Sequence, residues 1–137
     1  MNRIRSSLER REDLRNVGVD ISGFPMIVAV IDEYSDLVNF GSRDSKRFVK
    51  DSVLRLAKAG PEAGIRLILS TRHPAQEMKA LLPFFPTRLV LRVSDPKDSK
   101  VLLKSEAAFW ELNSGKEMFL YDKGVISHCS LSGVIHQ

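Results

Sequence analysis

Residues 26–38 read MIVAVIDEYSDLV, and the reading of this stretch decides the fold. Six apolar residues, Met26 to Ile31, follow Pro25 and run without a break into two adjacent carboxylates, Asp32 and Glu33. A run this short, closed by a proline at one end and by charge at the other, has the length of a strand. Its unbroken apolarity predicts burial on both faces, inside a sheet covered by helices. Two carboxylates are costly at the end of such a strand unless they face water, a cation or a reacting group.

Working outward, residues 1–16 place Ile4, Leu8 and Leu14 among five arginines and three acids, an amphipathic helix that ends near Gly18. Beyond the acidic pair, FGSRDSKRFVKDSVLRLAKAGPEAG predicts a helix with Val49, Val53 and Leu56 on one face and a basic stripe of Arg43, Lys46, Arg47 and Lys50 on another, broken at Gly60-Pro61. Ile65 to Ser70 (IRLILS) reads as a second apolar strand, Pro74 opens a helix reaching Leu82, and Arg88 to Val93 (RLVLRV) reads as a third strand. Asp95-Pro96 combines a capping carboxylate with a proline at the first helical position and starts a helix to Lys104; residues 106–112 extend helical structure. Met118 to Tyr121 and Val125 to Leu131 flank Asp122-Lys123-Gly124 and predict a hairpin. Alternating strands and helices imply an α/β fold with a mostly parallel sheet, in which ligands gather at the carboxyl ends of strands. Asp32, Glu33, Ser70 and Thr71 all fall at such ends.

The 137 residues suit one domain able to bury about two-thirds of its unfolded surface. With 43% hydrophobic and 28% charged residues, the chain is neither disordered nor fibrous in composition. The lone Cys129 cannot form an intrachain disulfide, which suits a reducing compartment, so a cytoplasmic location is expected. The start, MNRIRSSLERRED, lacks the apolar core of a secretory signal, and no apolar run approaches the roughly 18 residues of a membrane span. A net charge of +4 is compatible with a polyanionic partner without identifying one.

An apolar strand ending in Asp-Glu suits nucleotide hydrolysis. The aspartate holds magnesium, usually through its water shell, and the glutamate polarises the attacking water. A structural alternative is an exposed strand-to-helix corner with acids near a helix N-terminus. Ser70-Thr71, at the end of the second strand, offers a hydroxyl able to sense a terminal phosphate, or else a helix cap before Pro74. His73, His128, His136 and Cys129 show no metal-ligand spacing. The basic stripe suits either phosphates or a solvated helix face. No glycine-rich phosphate loop, G-x-x-x-x-G-K-[ST], occurs in these residues.

Five segments in order, ERREDLRNVGV (9–19), FPMIVAVIDEYSDLV (24–38), AGPEAGIRLILSTRHP (59–74), FPTRLVLRVSDPKDSKVLL (85–103) and EMFLY (117–121), resemble the carboxyl-terminal half of the FtsK/SpoIIIE-type DNA translocase motor. The resemblance implies a partial RecA-like (P-loop NTPase) fold: a mostly parallel sheet flanked by helices with a C-terminal β-hairpin, residues 1–23 being an N-terminal helix and linker and 24–137 the Walker B half of the motor domain. It implies a fragment or truncated relative of an ATP-dependent, hexameric translocase of double-stranded DNA. ATP and Mg2+ would be the cofactors of the intact motor, with Asp32 holding the metal through water and Glu33 activating water. Thr71 falls on the sensor-like threonine, and Arg88 and Lys100 match basic positions able to reach a nucleotide in a neighbouring subunit. The chain departs from the family at Arg72-His73, where Gln-Arg is usual, and over SEAAFWELNSGKEM. Two other functions are open to the same residues. One is a non-catalytic module that binds the ring, DNA or another partner; the other is a magnesium-dependent nuclease using Asp32, Glu33 and Asp36.

Overall fold

The computed structural model describes residues 2–113 and 115–130. Along the sequence the elements are α1 (Asn2–Asn16), β1 (Ile27–Ile31), α2 (Tyr34–Asn39), α3 (Arg43–Ala59), β2 (Ile65–Leu69), α4 (Pro74–Glu77), β3 (Thr87–Val90), α5 (Pro96–Leu103), α6 (Ala107–Trp110), β4 (Glu117–Asp122) and β5 (Val125–Ser130). They divide after Thr71 into two units, with α1 in the first. The α/β class expected from the sequence holds. No helix among the described residues is long and apolar enough to cross a membrane.

In the first unit, β1 and β2 pair in parallel, Ile27 opposite Ile65 through Ile31 opposite Leu69, with α2 and α3 in the crossover between them. Ser42 caps α3 by accepting the Ser45 amide, and the helix buries Ser52, Val53, Leu56 and Ala57. Leu56 joins Leu8 of α1, Ala63 and Ile65 in one core, with Ile4, Ile27, Ala59 and Leu67 packed around it. The break after α3 is forced by Gly60, where a Cβ would stand 2.4 Å from the Leu56 carbonyl oxygen. No larger residue fits there without moving backbone. Arg11 was unforeseen: only 8% exposed, it donates to the carbonyls of Ala63 at 2.9 Å and Pro25 at 2.7 Å. It thereby fastens α1 to both ends of the sheet's entry loops.

Burial on both faces, expected for Met26–Ile31, is corrected here. Ala29 is buried, yet Val28, Val30 and the β2 residue Ile68 are 50%, 66% and 57% exposed. Side chains alternate along a strand, and among the described residues α1 and α3 cover one side only. An apolar run therefore signalled a parallel strand without showing how many of its faces this chain covers.

In the second unit, β3 pairs antiparallel with β4, Thr87 opposite Asp122 and Val90 opposite Phe119, and β4 pairs antiparallel with β5. The third strand is thus shorter than expected and joins the hairpin, so the parallel pairing among described strands is that of β1 with β2. Lys123 and Gly124, both at positive φ, make the two-residue turn between β4 and β5. Leu131, expected within the last strand, lies outside the described residues, as does His136. Asp95 caps α5 as expected, accepting the Lys97 amide, with Pro96 in the first turn. The helix expected from Pro74 to Leu82 is cut to α4, followed by a 3-10 turn at Leu82–Phe84. Val90, Leu103, Ala108, Leu112, Phe119 and Tyr121 form the core of this unit.

Candidate functional site

Parallel pairing in register brings the ends of β1 and β2 side by side, and this sets the geometry of the acidic corner. Beyond the last paired residues, Ile31 and Leu69, the Ser70 amide donates to the Ile31 carbonyl at 3.0 Å and the Tyr34 amide to the Ser70 carbonyl at 2.8 Å. The Ser70 hydroxyl then donates to Asp32 Oδ1 at 3.0 Å and accepts the Glu33 amide at 3.0 Å. One small side chain just past β2 thereby holds the Asp32 carboxylate and the Glu33 backbone. Asp32 is exposed, as a group that meets a hydrated cation must be.

Glu33 is held differently. Its backbone lies in the left-handed region, φ 60° and ψ 83°, and its carboxylate caps α2 by accepting the Ser35 amide. A non-glycine residue there carries backbone strain of about 1 kcal/mol or more. The strain is offset by the cap and by the two strand-to-corner hydrogen bonds around it. Ser35, buried, places its hydroxyl 3.0 Å from that of Thr71. Asp32, Glu33, Ser35, Ser70 and Thr71 are therefore one connected corner of the first unit.

Arg88 and Lys100 belong to the second unit. The Arg88 guanidinium donates to three carbonyls, Phe85 at 2.9 Å, Leu102 at 2.7 Å and Leu82 at 3.2 Å, and lies 4.4 Å from the centroid of the Tyr121 ring. Three of its five N–H donors, with the ring contact, join the 3-10 turn, α5 and β4. Lys100 pairs with Glu106 at 2.8 Å, which raises the lysine above its ordinary pKa. Lys100 hydrogen bonding, followed by the Trp110 indole, lowers that of Glu106. Lys100 also borders an open cleft of about 550 Å3 with His73, Lys79, Asp95 and Lys97.

Sequence reasoning undervalued Ser70 and missed Ser35. The available signal was the pairing itself: a hydroxyl one residue past a parallel strand must lie beside the residue one past its neighbour. For magnesium, the fit rests on donor chemistry, since an exposed carboxylate oriented by a serine hydroxyl suits an ion that keeps most of its water. No group of three or more His, Cys, Asp or Glu among the described residues is placed to hold a metal directly, which leaves the nuclease reading without the additional carboxylate a two-metal site requires.

No protein-family model matches the chain. It is 31% identical over 110 residues to the DNA translocase FtsK of Brucella melitensis, covering 79% of this chain, and 35% identical over 98 residues to that of Oceanobacillus iheyensis, covering 70%. The chain is a relative of the FtsK translocases. It spans 13% and 12% of the length of these two relatives. The fold superposes with a TM-score of 0.78 on the pCW3 conjugation coupling protein TcpA, whose structure was solved with ATPγS, covering 94% of this chain and 42% of that one at 17% identity. It superposes at 0.72 on the cytoplasmic domain of the Type VII secretion ATPase EccC of Thermomonospora curvata, covering 97% of this chain and 17% of that one at 19% identity. The fold shared with these proteins is the RecA-like α/β fold expected from the sequence.

Proposed function

We propose that this chain supplies the Walker B corner of an FtsK-type, ATP-driven translocase of double-stranded DNA, working in a ring of six such motors. The observation that carries the reading is the hydrogen-bonded set Asp32, Glu33, Ser70 and Thr71 at the carboxyl edge of a parallel strand pair. In this reading Asp32, oriented by Ser70, accepts from water bound to magnesium. Glu33 orients and polarises the attacking water, and the Thr71 hydroxyl contacts the terminal phosphate. Magnesium, when bound with ATP, neutralises charge on the transferring phosphoryl group. With no phosphate loop in these residues, the chain by itself does not hydrolyse ATP at a useful rate.

A chimera tests this: residues 24–126 replace the matching segment of an FtsK translocase. DNA-dependent ATP hydrolysis and translocation should survive, and Glu33→Gln should lower turnover about 10²- to 10⁴-fold. A chimera that assembles and binds ATP but does not turn over with Glu33 in place would overturn the catalytic reading. It would leave the non-catalytic module, which is favoured by one observation, the engagement of the Glu33 carboxylate by the Ser35 amide.

A further inference from the structure

We propose that the face of α3 bearing Arg43, Lys46, Arg47 and Lys50 is a docking surface for the phosphate backbone of duplex DNA, an assignment that rests on the translocase reading. These positions repeat at helical spacing and put four like-charged neighbours at i,i+3 or i,i+4: Arg43 with Lys46, Arg43 with Arg47, Lys46 with Lys50, and Arg47 with Lys50. Each such pair is mildly destabilising. The first two cations also stand in the opening turn, where the helix dipole disfavours positive charge. Asp44 in the same turn and Asp51 one turn beyond Arg47 offset this only in part.

Several other cations of the first unit are engaged, although Arg3, Arg10 and Lys58 are not among the described residues' ion pairs. Arg5 and Arg55 share Glu9, Arg55 also holds Glu12, Arg15 holds Glu62, and Arg11 is spent on carbonyls. On this face of α3, Arg43, Lys46 and Lys50 have no ion pair among the described residues. Arg47 reaches Asp51 only at 3.8 Å, with both side chains largely exposed. The carboxyl-terminal half of the helix is fixed in the core through Val53, Leu56 and Ala57, while its amino-terminal half leaves Arg43, Arg47 and Lys50 exposed and Lys46 half-buried. The stripe therefore sits on a helix anchored at its other end, with three of its four cations unpaired among the described residues. From Arg43 to Lys50 it runs about 10 Å, close to the axial span of four successive phosphates on one strand of B-DNA. A duplex backbone relieves the mutual repulsion by replacing condensed counterions with these side chains. Phe40, 82% exposed just before the helix, would equally suit an anionic bilayer, so the test separates the two polyanions.

Anisotropy of a labelled 20-base-pair duplex, titrated with the full chain between 50 and 200 mM salt, reads the surface. Four phosphate contacts give a fall in affinity of about 100-fold across that range. Replacing all four residues with Gln should remove about 3 to 4 from the logarithmic salt slope and weaken binding more than about tenfold at 50 mM. The charge-matched control R3Q/R10Q/K104Q/K123Q and the conservative R43K/R47K should keep the wild-type slope. Equal losses in the Gln variant and the control, an unchanged Gln variant, absent wild-type binding at 50 mM, or retention on phosphatidylglycerol vesicles in preference to duplex would each overturn the assignment. If the chimera above translocates while the Gln variant still binds duplex normally, only the surface fails. If the chimera is dead and the Gln variant loses binding, only the motor reading fails.

Discussion

Ser70 Oγ lies 3.0 Å from Asp32 Oδ1 and accepts the Glu33 amide at the same distance, so a single hydroxyl just past β2 holds the Asp32 carboxylate and the Glu33 backbone beyond β1. Removing it should loosen the corner without unfolding the unit. Ser70→Ala is expected to cost about 1 kcal/mol, the net worth of an ordinary hydrogen bond. In the chimeric motor it should also slow hydrolysis while leaving ATP affinity intact. Urea denaturation and steady-state turnover check the two effects separately; Ser70→Thr should restore both.

At Glu33 stability and activity should part company. Glycine accepts φ 60° without strain, and a glycine cap costs only a few tenths relative to a side-chain cap. Glu33→Gly should therefore leave thermal stability equal or higher by up to about 1 kcal/mol while abolishing turnover in the chimera. A drop in stability of that size or more would mean that the capping carboxylate outweighs the backbone strain.

Three carbonyls and an aromatic face surround the Arg88 guanidinium, which assigns it the task of holding the second unit together. Arg88→Lys keeps the charge but not the planar fork, and should cost about 2 kcal/mol in the absence of any nucleotide. Chemical denaturation measures this directly. If Arg88→Lys matched the wild type in stability yet impaired hydrolysis across a subunit boundary, the arginine would be a nucleotide contact instead.

The Lys100 to Glu106 pair predicts a small dependence of stability on pH at both extremes. Glu106 titrates below its ordinary 4.5 because of hydrogen bonds from Lys100 and then Trp110, so its contribution is present above 4.5 and is lost as pH falls through the depressed folded value. Lys100 titrates above its ordinary 10.5, so its contribution is present below 10.5 and fades as pH rises through the elevated value. Melting temperatures of wild type and Glu106→Gln should differ at neutral pH and converge in acid.

What the sequence disclosed was what is local in cause. The apolar runs at 26–31 and 65–69, the Asp95-Pro96 cap, the Gly60-Pro61 break and the Lys123-Gly124 turn each follow from a few adjacent side chains, and the structure has them in place. Arg11 was hidden although a trace existed, since it sits where Ile4 and Leu8 predict the next core position of α1 and its partners are carbonyls 14 and 52 residues away. The partner of β3 was likewise not legible: antiparallel pairing with β4 joins residues some thirty positions apart, and apolar content does not specify direction. At the candidate site, the carboxylates announced themselves, while the hydroxyl that holds Asp32 and the Glu33 backbone became visible only through the strand register.

The wet side of the β1 and β2 ribbon governs how this polypeptide behaves as a colloid. Met26, Val28, Val30 and Ile68 present hydrocarbon to water, and each square ångström of it that two molecules hide from solvent gains about 25 cal/mol. Adhesion between copies therefore grows with concentration and with sulfate or phosphate, which strengthen apolar burial.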